Sequence, residues 1–189
     1  MKTITKKKQA LILTAKSLFA KKGFYGTPTA QIARDAGVSN GILFHYFPTK
    51  EELIKTLYID IKDDIFKYTL SQVYRGATIK ESLYTLWLAS LEWYTENPED
   101  FQFMLQFENS PYYSEEIERS HRYVQMAISI MEDGMNQGQL RALDPLFLVR
   151  LLSALVERSV FELNRNSTDS SNSTLQNQLF DVVWGALAK

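Results

Sequence analysis

The chain of 189 residues contains no cysteine and only two histidines. Without cysteine, disulfide bonds and thiolate metal sites are excluded, which fits a reducing compartment. Long hydrophobic runs are missing too: Lys16 interrupts the apolar stretch near the start, Lys21 and Lys22 follow it, and no segment approaches the ~20 apolar residues of a membrane span. We therefore expect a soluble cytoplasmic protein that does not contact a membrane.

Acidic side chains are almost missing from the first fifty residues. This region carries nine lysines or arginines and one acid, Asp35, for a formal charge of +8, whereas the remaining 139 residues carry −9. Such asymmetry is typical of a nucleic-acid-binding or membrane-surface region attached to an acidic body. The alternative, a solvated helix face, would account for Lys6 to Lys8 but not for fifty residues with a single acid.

Period-two strand patterns are lacking as well, and helical periodicity extends along nearly the whole chain. In the first helix Leu11, Ala15, Leu18 and Phe19 form one apolar stripe, while lysines occupy the other face. The sequence predicts an all-α fold of about nine helices, with a three-helix head and a larger helical body. Their expected bounds are 4–22, 28–36, 40–46, 50–74, 78–96, 98–109, 114–136, 145–165 and 174–188.

Capping residues mark many of the predicted helix boundaries. Gly23 is expected to end the first helix. A polar or hydroxyl side chain precedes proline in a repeated start signal, and a threonine precedes glutamate by three residues in two capping boxes. Residues 166–173 are polar and predict a mobile surface loop. The start signals are Thr27-Pro28, Asn97-Pro98 and Asp144-Pro145, and the capping boxes are Thr49 with Glu52 and Thr78 with Glu81.

The spacing between Pro28 and Phe47 predicts a helix-turn-helix. Ile32, Ala33 and Ala36 would face inward from the first helix, and Gly37 would supply a left-handed backbone conformation for the turn. Ser39 would then cap the second helix, 40–46. The N-terminal residues of such a recognition helix face base edges in the major groove.

The stretch GFYGTPTAQIARDAGVSNGILFHYFPTKEELI resembles the DNA-binding head of the TetR (tetracycline-repressor-like) family of bacterial regulators. The resemblance covers residues 9–54, and GQLRALDP at 138–145 is similar to the family's connection into its dimerisation helices. It implies a DNA-binding domain at 1–50 and an effector-binding and dimerisation domain at 51–189.

The resemblance also implies roles for single residues in the head. Thr29 and Lys50 match positions that contact the DNA backbone, and Leu43 and Phe47 match core positions. Ser39 and Thr49 are open to interpretation as caps only, Phe44 as a core residue, and His45 as a solvated aromatic. The DNA-binding candidates are Thr29, Gln31, Ser39, Asn40, Gly41, Phe44, His45, Tyr46 and Lys50.

Two positions depart from the family pattern. Phe44 stands where tyrosine is usual, so we expect it to contact a thymine methyl or a sugar rather than bond a phosphate. Ala30 stands where some members carry a base-reading arginine, which removes guanine readout from that position. Asn40 remains the best candidate for a direct base contact, since its amide can pair with adenine.

Aromatic side chains are dense between residues 84 and 126, a composition typical of small-molecule pockets. The alternative interpretation of each aromatic is ordinary core packing, and that of each carboxylate is an exposed position. The effector's identity is not encoded in a recognisable motif. The candidate ligand-binding residues are Trp87, Tyr94, Phe103, Met104, Phe107, Glu108, Tyr123 and Glu157.

The predicted helix 145–165 is apolar over more of its circumference than a single-chain surface helix tolerates, and the last predicted helix carries an apolar stripe with Phe180 and Trp184 beside it. Two such helices from each of two subunits would form a four-helix dimer interface, as in the family; the alternative is packing within one monomer. A two-fold operator requires a two-fold protein. The candidate interface residues are Leu152, Leu155, Val156, Leu179, Val183 and Trp184.

These features favour a homodimeric regulator, a repressor released from a palindromic double-stranded DNA operator by a small-molecule effector. The alternative is an effector-independent DNA-binding interaction protein, nucleoid-associated or division-coupled. An enzyme is not expected, because His45 belongs to the head, His121 is flanked by Arg119 and Arg122, and no catalytic set or metal spacing can be assembled. No cofactor or metal is expected either.

Overall fold

The computed structural model describes residues 2–73, 77–120, 122–165 and 173–189. Within them the chain forms ten helices and no strand, apart from one isolated bridge between Leu140 and Ala188. The all-α prediction is confirmed. The helices are α1 (Lys2–Lys22), α2 (Thr29–Asp35), α3 (Asn40–Tyr46), α4 (Lys50–Gln72), α5 (Ile79–Glu96), α6 (Pro98–Glu108), α7 (Glu115–Ser120), α8 (Arg122–Asn136), α9 (Pro145–Arg165) and α10 (Ser173–Leu187).

Two of the predicted segments include residues that lie outside the described ranges. The single helix expected at 114–136 is described as α7 and α8, and the residue between them, His121, lies outside the described residues. The loop expected at 166–173 also lies outside them, except for Ser173, which begins α10. Among the residues that are described, no helix is long and apolar enough to cross a membrane.

The chain divides into two compact units. Unit 1 comprises Met1–Lys62 and Asn97–Glu115, and unit 2 comprises Asp63–Glu96 and Glu116–Lys189. Helix α4 therefore contributes its first residues to unit 1 and its last to unit 2. The predicted functional division at residue 50 stays a prediction, but α6, which lies beyond that point in the sequence, folds in unit 1.

The core of unit 1 forms where α1, α6 and the start of α4 meet. Phe24 packs edge-on against Phe19 at 5.2 Å and Phe103 at 5.3 Å between ring centroids, and Tyr58 stacks on Phe107 at 4.1 Å. All five rings are buried. Aromatic pairs in these arrangements add attraction beyond the apolar area that they bury. Helix α6 thereby supports α1 from a distant part of the sequence.

Polar contacts reinforce the packing of α1 on α6. The Lys16 ammonium lies 2.7 and 3.0 Å from the two carboxylate oxygens of Asp100, which is buried. On the preceding residue of α6, the Glu99 carboxylate accepts a hydrogen bond from the Ser17 hydroxyl at 2.9 Å and lies 3.2 Å from the Lys21 ammonium. These partners are about eighty residues apart, and no local sequence pattern connects them.

Unit 2 buries its core between α5, α8, α9 and α10. Trp87 of α5 is fully buried and its indole N–H donates to the Ser159 hydroxyl of α9 at 3.3 Å. A buried carboxylate, Glu118, is paired with two nitrogens of Arg150 at 2.9 and 3.0 Å. Such pairing satisfies a charge that would be costly to bury alone.

The predicted capping signals were mostly confirmed. The Ser39 hydroxyl accepts from the Ile42 N–H at 3.4 Å, that of Thr49 from the Glu52 N–H at 3.0 Å, and the Asp144 carboxylate from the Phe147 N–H at 3.0 Å. Thr78 and Glu81 form a reciprocal capping box.

Two of the capping predictions were wrong. Asn97 makes no side-chain cap hydrogen bond. Thr27 does not cap α2, because its buried hydroxyl turns back and donates to the carbonyls of Gly23 at 2.9 Å and Leu18 at 3.3 Å at the end of α1. Pro28 takes the N-cap position instead.

Candidate nucleic-acid interface

The turn between α2 and α3 has the geometry that the sequence predicted. Gly37 has φ +69°, a conformation that a β-carbon disfavours, and Gly23 ends α1 at φ +73°. After Gly37 the chain reverses, and the Val38 N–H donates back to the Ala33 carbonyl at 2.9 Å. The turn then presents Ser39 as the cap of α3.

Helix α3 has one buried face and one exposed face. Leu43 and Phe47 are 0% and 2% exposed, so they hold the helix against α1 and α2. Asn40, Gly41 and His45 are exposed, and Tyr46 is half-buried with its ring 5.3 Å from that of His45. The buried face anchors the helix, which leaves an amide, a glycine and a histidine at the surface.

Phe44 is 43% exposed, which removes the interpretation that it is a core residue. Part of its apolar surface is therefore open to solvent. This position is compatible with the expected contact to a thymine methyl or sugar, which stays a prediction.

The candidates on α2 are less exposed. Thr29 and Gln31 are half-buried, and the Gln31 amide donates to the Asp35 carboxylate at 3.3 Å. Asp35 also pairs with Arg34 at 3.1 Å. The one acid of the first fifty residues is thus satisfied by side chains of its own helix.

The Lys50 ammonium lies against Phe24 and Phe19 in this structure. It donates to the Phe24 carbonyl and lies 5.9 Å from the centroid of the Phe19 ring. Partial burial lowers the pKa of Lys50 below its ordinary value. The role of Lys50 as a phosphate contact stays a prediction. To contact a phosphate, the ammonium would have to break its hydrogen bond to the Phe24 carbonyl or keep that bond and donate a second one to the phosphate.

The candidate ligand-binding residues are divided between the two units. Unit 1 holds Phe103, Met104 and Phe107, which are buried, and the exposed Glu108. Unit 2 holds the remaining four. Within that unit Tyr123 stacks on Phe66 of α4 at 4.6 Å. The candidates of unit 2 are the buried Trp87, Tyr94 and Tyr123 and the half-buried Glu157.

A groove of about 530 Å³ opens in unit 2 between α5 and α10. None of the candidate ligand residues lines it. Among the described residues, no group of three or more histidine, aspartate or glutamate side chains is arranged to hold a metal ion. The lining residues of the groove are Thr78, Lys80, Glu81, Tyr84, Thr85, Asn177, Phe180 and Asp181.

Residues 11–57, which contain the whole helix-turn-helix, match the model of the family described as "Bacterial regulatory proteins, tetR family". A crystal structure of a tetR family transcription regulator from Shewanella sp. PV-4 is 28% identical, covers 97% of this chain and 98% of its own, and superposes with a TM-score of 0.90. The helix-turn-helix segment is thus of the TetR type, and the chain has the fold of a TetR-family regulator over nearly its whole length. It is accordingly a helix-turn-helix DNA-binding transcriptional regulator.

Curated TetR-type relatives are more distant or match in part. The uncharacterised regulator YuxN of Bacillus subtilis is 32% identical over 65% of this chain, and the chain spans only 42% of its length. The transcriptional repressor KstR2 of Mycobacterium tuberculosis is 27% identical over 73% of this chain and 71% of its own. Its structure, described as that of a ketosteroid transcriptional regulator, is 25% identical, covers 95% of this chain and 93% of its own, and has a TM-score of 0.60.

The candidate dimer residues of the chain differ in exposure. Val156 and Val183 are 4% and 1% exposed, so they pack inside the chain, whereas Leu152, Leu155, Leu179 and Trp184 are half-buried. The large apolar side chains of α9 and α10 that are most exposed are not among these candidates. They are Phe147 and Phe161 of α9 and Val182 of α10, with Val182 63% exposed.

Proposed function

We propose that the chain is a homodimeric transcriptional repressor that binds a near-palindromic DNA operator and is released from it by a small-molecule effector. The main observation in favour of DNA binding is that α3 has one buried side and one exposed side. Its apolar residues Leu43 and Phe47 are buried, and the side of Asn40, Gly41, Phe44 and His45 is open. The match to the TetR family model and the +8 charge of the first fifty residues support the same conclusion.

The exposed side of α3 supplies chemistry suited to the major groove. The Asn40 amide can donate to N7 or accept from N6 of adenine, and Phe44 can cover a thymine methyl. Gly41 lets the backbone approach the sugar-phosphate wall. His45 and Tyr46 provide polar hydrogen atoms for phosphate oxygens. Together they favour a site that includes A·T pairs.

Two copies of α3 must lie about 34–36 Å apart to enter successive major grooves. A two-fold dimer satisfies this requirement, and exposed apolar residues on α9 and α10 provide a surface for it. We place the regulator in the cytoplasm, where such an operator is accessible.

Release by an effector would work through α4, since this helix contributes residues to both units. A ligand held by the aromatic residues of unit 2 would favour one arrangement of α4 and thereby shift the population of DNA-binding dimers. The description of KstR2 as a ketosteroid regulator supports an organic effector, without identifying it for this chain. Coupling must be reciprocal, so operator DNA must weaken effector binding by the same factor.

The DNA-binding part is tested by selecting duplexes from random DNA with the purified protein. We expect a palindrome with half-sites about one helical turn apart. The doubly substituted variant Asn40→Ala, Tyr46→Ala should lose specific binding to the recovered duplex, measured by fluorescence anisotropy, while its circular dichroism melt stays close to that of the wild type. Specific, salt-sensitive binding by that variant would contradict the assignment of α3.

The effector part is tested separately by screening small organic compounds for a thermal shift. A compound that binds should lower operator affinity in the anisotropy titration. If compounds bind in the aromatic region of unit 2 and operator affinity does not change, the alternative of an effector-independent DNA-binding protein is favoured.

A further inference from the structure

Lys8 occupies a distinctive place on α1. It precedes Leu11 by three residues and so falls on the helix stripe that continues through Ala15 and Phe19, all three of which are fully buried. Lys8 itself is exposed. The core-facing stripe of α1 therefore includes a lysine, and the stem of such a side chain can lie along the core while its ammonium stays in water.

The ammonium of Lys8 lies next to the end of α3. Its Nζ is 5.7 Å from the centroid of the Phe47 ring, within the range of a cation–π contact. Phe47 is the C-cap of α3, is 2% exposed, and donates its N–H to the Leu43 carbonyl at 2.8 Å. A rigid, buried ring thus holds a flexible cation beside the recognition helix.

Five other cations of unit 1 are already engaged in polar contacts with the protein. Lys16, Lys21, Arg34 and Lys55 lie within 4 Å of a carboxylate, and Lys50 donates to the Phe24 carbonyl. Lys8 has no carboxylate partner in the part of the chain that the structure describes. Its charge is therefore not neutralised by the protein.

We propose that Lys8 is a further DNA-binding residue, which Phe47 holds in position to contact a phosphate at the edge of the groove that α3 enters. The proposal rests on the proposed DNA-binding function. A duplex that admits α3 brings the phosphates of the groove wall close to the ends of that helix, and one ammonium beside its C-terminal end is placed for them. Among the lysines 6–8, Lys8 would therefore make a specific contact with one phosphate instead of adding only to the overall positive charge.

The test compares Lys8→Gln with Lys7→Gln in the full-length protein on the selected palindromic duplex, by anisotropy over a series of NaCl concentrations. Lys7 is exposed on the same turn and carries the same charge, and its position is about 100° around the helix. We expect Lys8→Gln to weaken binding at least about threefold more than Lys7→Gln and to reduce the slope of log affinity against log salt by about 1. Lys8→Arg should retain both, because arginine keeps the charge and the ring contact.

Equal losses in the Lys8 and Lys7 variants would overturn the proposal and leave a diffuse electrostatic contribution. An unchanged slope in Lys8→Gln would overturn it as well. These outcomes are distinguishable from a failure of the proposed function, in which the wild type would select no palindrome and the Asn40, Tyr46 variant would bind duplex DNA as the wild type does.

Discussion

Thr27 shows how one buried hydroxyl can fix the entry into the helix-turn-helix. The residue is fully buried, and its hydroxyl hydrogen is placed between two carbonyls at the end of α1. Gly23 follows the last residue of α1, so its carbonyl has no acceptor role within the helix, and the Thr27 hydroxyl supplies a donor for it. Thr27 therefore stabilises the end of α1 instead of the start of α2.

Substituting Thr27→Val should reduce the free energy of unfolding by about 1–2 kcal/mol, because the isosteric side chain leaves the Gly23 and Leu18 carbonyls without this donor. Urea unfolding followed by circular dichroism measures the difference. Thr27→Ser is the matched control, since it keeps the hydroxyl and loses only a methyl group, at a cost of about 1 kcal/mol. A valine variant as stable as the wild type would show that the hydroxyl contributes nothing.

At the scale of helices, α6 extends unit 1 beyond residues 11–57, the segment that matches the family model. Its buried Asp100 pairs with Lys16, whose side chain is 25% exposed, and its half-exposed Glu99 binds Ser17 and Lys21. Asp100 thus makes a buried contact with α1, and Glu99 makes a solvent-exposed one. The buried contact should contribute more to the free energy of unfolding than the exposed one.

We expect Asp100→Asn to destabilise the protein by about 1–3 kcal/mol, since it leaves a partly buried ammonium without its counter-charge. Glu99→Gln should cost less than about 1 kcal/mol, because water and salt screen the exposed pair. Chemical denaturation at neutral pH in low and high salt compares the two. A larger loss for Glu99→Gln would contradict the burial argument.

Acidification should remove the contribution of Glu99. The hydrogen bond from Ser17, with the Lys21 ammonium, holds the pKa of Glu99 below its ordinary value in the folded state. The folded protein therefore binds this proton less readily than the unfolded chain, so the stabilisation is present above the unfolded pKa and is lost as the pH falls through the folded one. The stability gap between the wild type and Glu99→Gln should close below about pH 4, the range of an unperturbed glutamate.

The local features of the helix-turn-helix could be predicted from the sequence because their causes are local. Gly37 needs a positive φ, Ser39 lies three residues before the N–H that it caps, and Leu43 and Phe47 share a helix face. The packing of α6 on α1 could not be predicted in the same way. Lys16 and Asp100 are 84 residues apart, and each has the sequence context of an ordinary surface charge.

Exposure could not be derived from helical spacing either. Phe44 and Leu43 are adjacent apolar residues, and the interpretation of Phe44 as a core residue stayed open until the packed structure showed it 43% exposed beside a fully buried Leu43. The candidate ligand residues illustrate the same limit. Aromatic density identified real core positions such as Trp87 and Phe107, but composition does not show which rings line a cavity.

At the scale of the whole molecule, the apolar side chains left open on α9 and α10 are the best basis for a dimer. Val182→Asp places a charge on the most exposed of them. We expect this variant to shift the protein to the monomer in analytical ultracentrifugation and to lose operator affinity at least about tenfold, because a desolvated charge without a partner costs more than about 1.4 kcal/mol.

The matched control for that variant is Asn177→Asp. It adds the same charge to α10 five residues away, about 140° around the helix, on the side that lines the groove with α5. This control should remain dimeric. Equal effects of the two substitutions would argue that α10 is sensitive to charge as such, and against an interface on the Val182 side.

The placement of the tryptophans has a practical consequence for measuring communication within the protein. Trp87, Trp93 and Trp184 all belong to unit 2, and the residues of unit 1 include none. Intrinsic emission at tryptophan wavelengths therefore arises only in the unit that carries no recognition helix. A change in that emission on adding operator DNA would be a label-free signal that occupation of one unit alters the environment within the other.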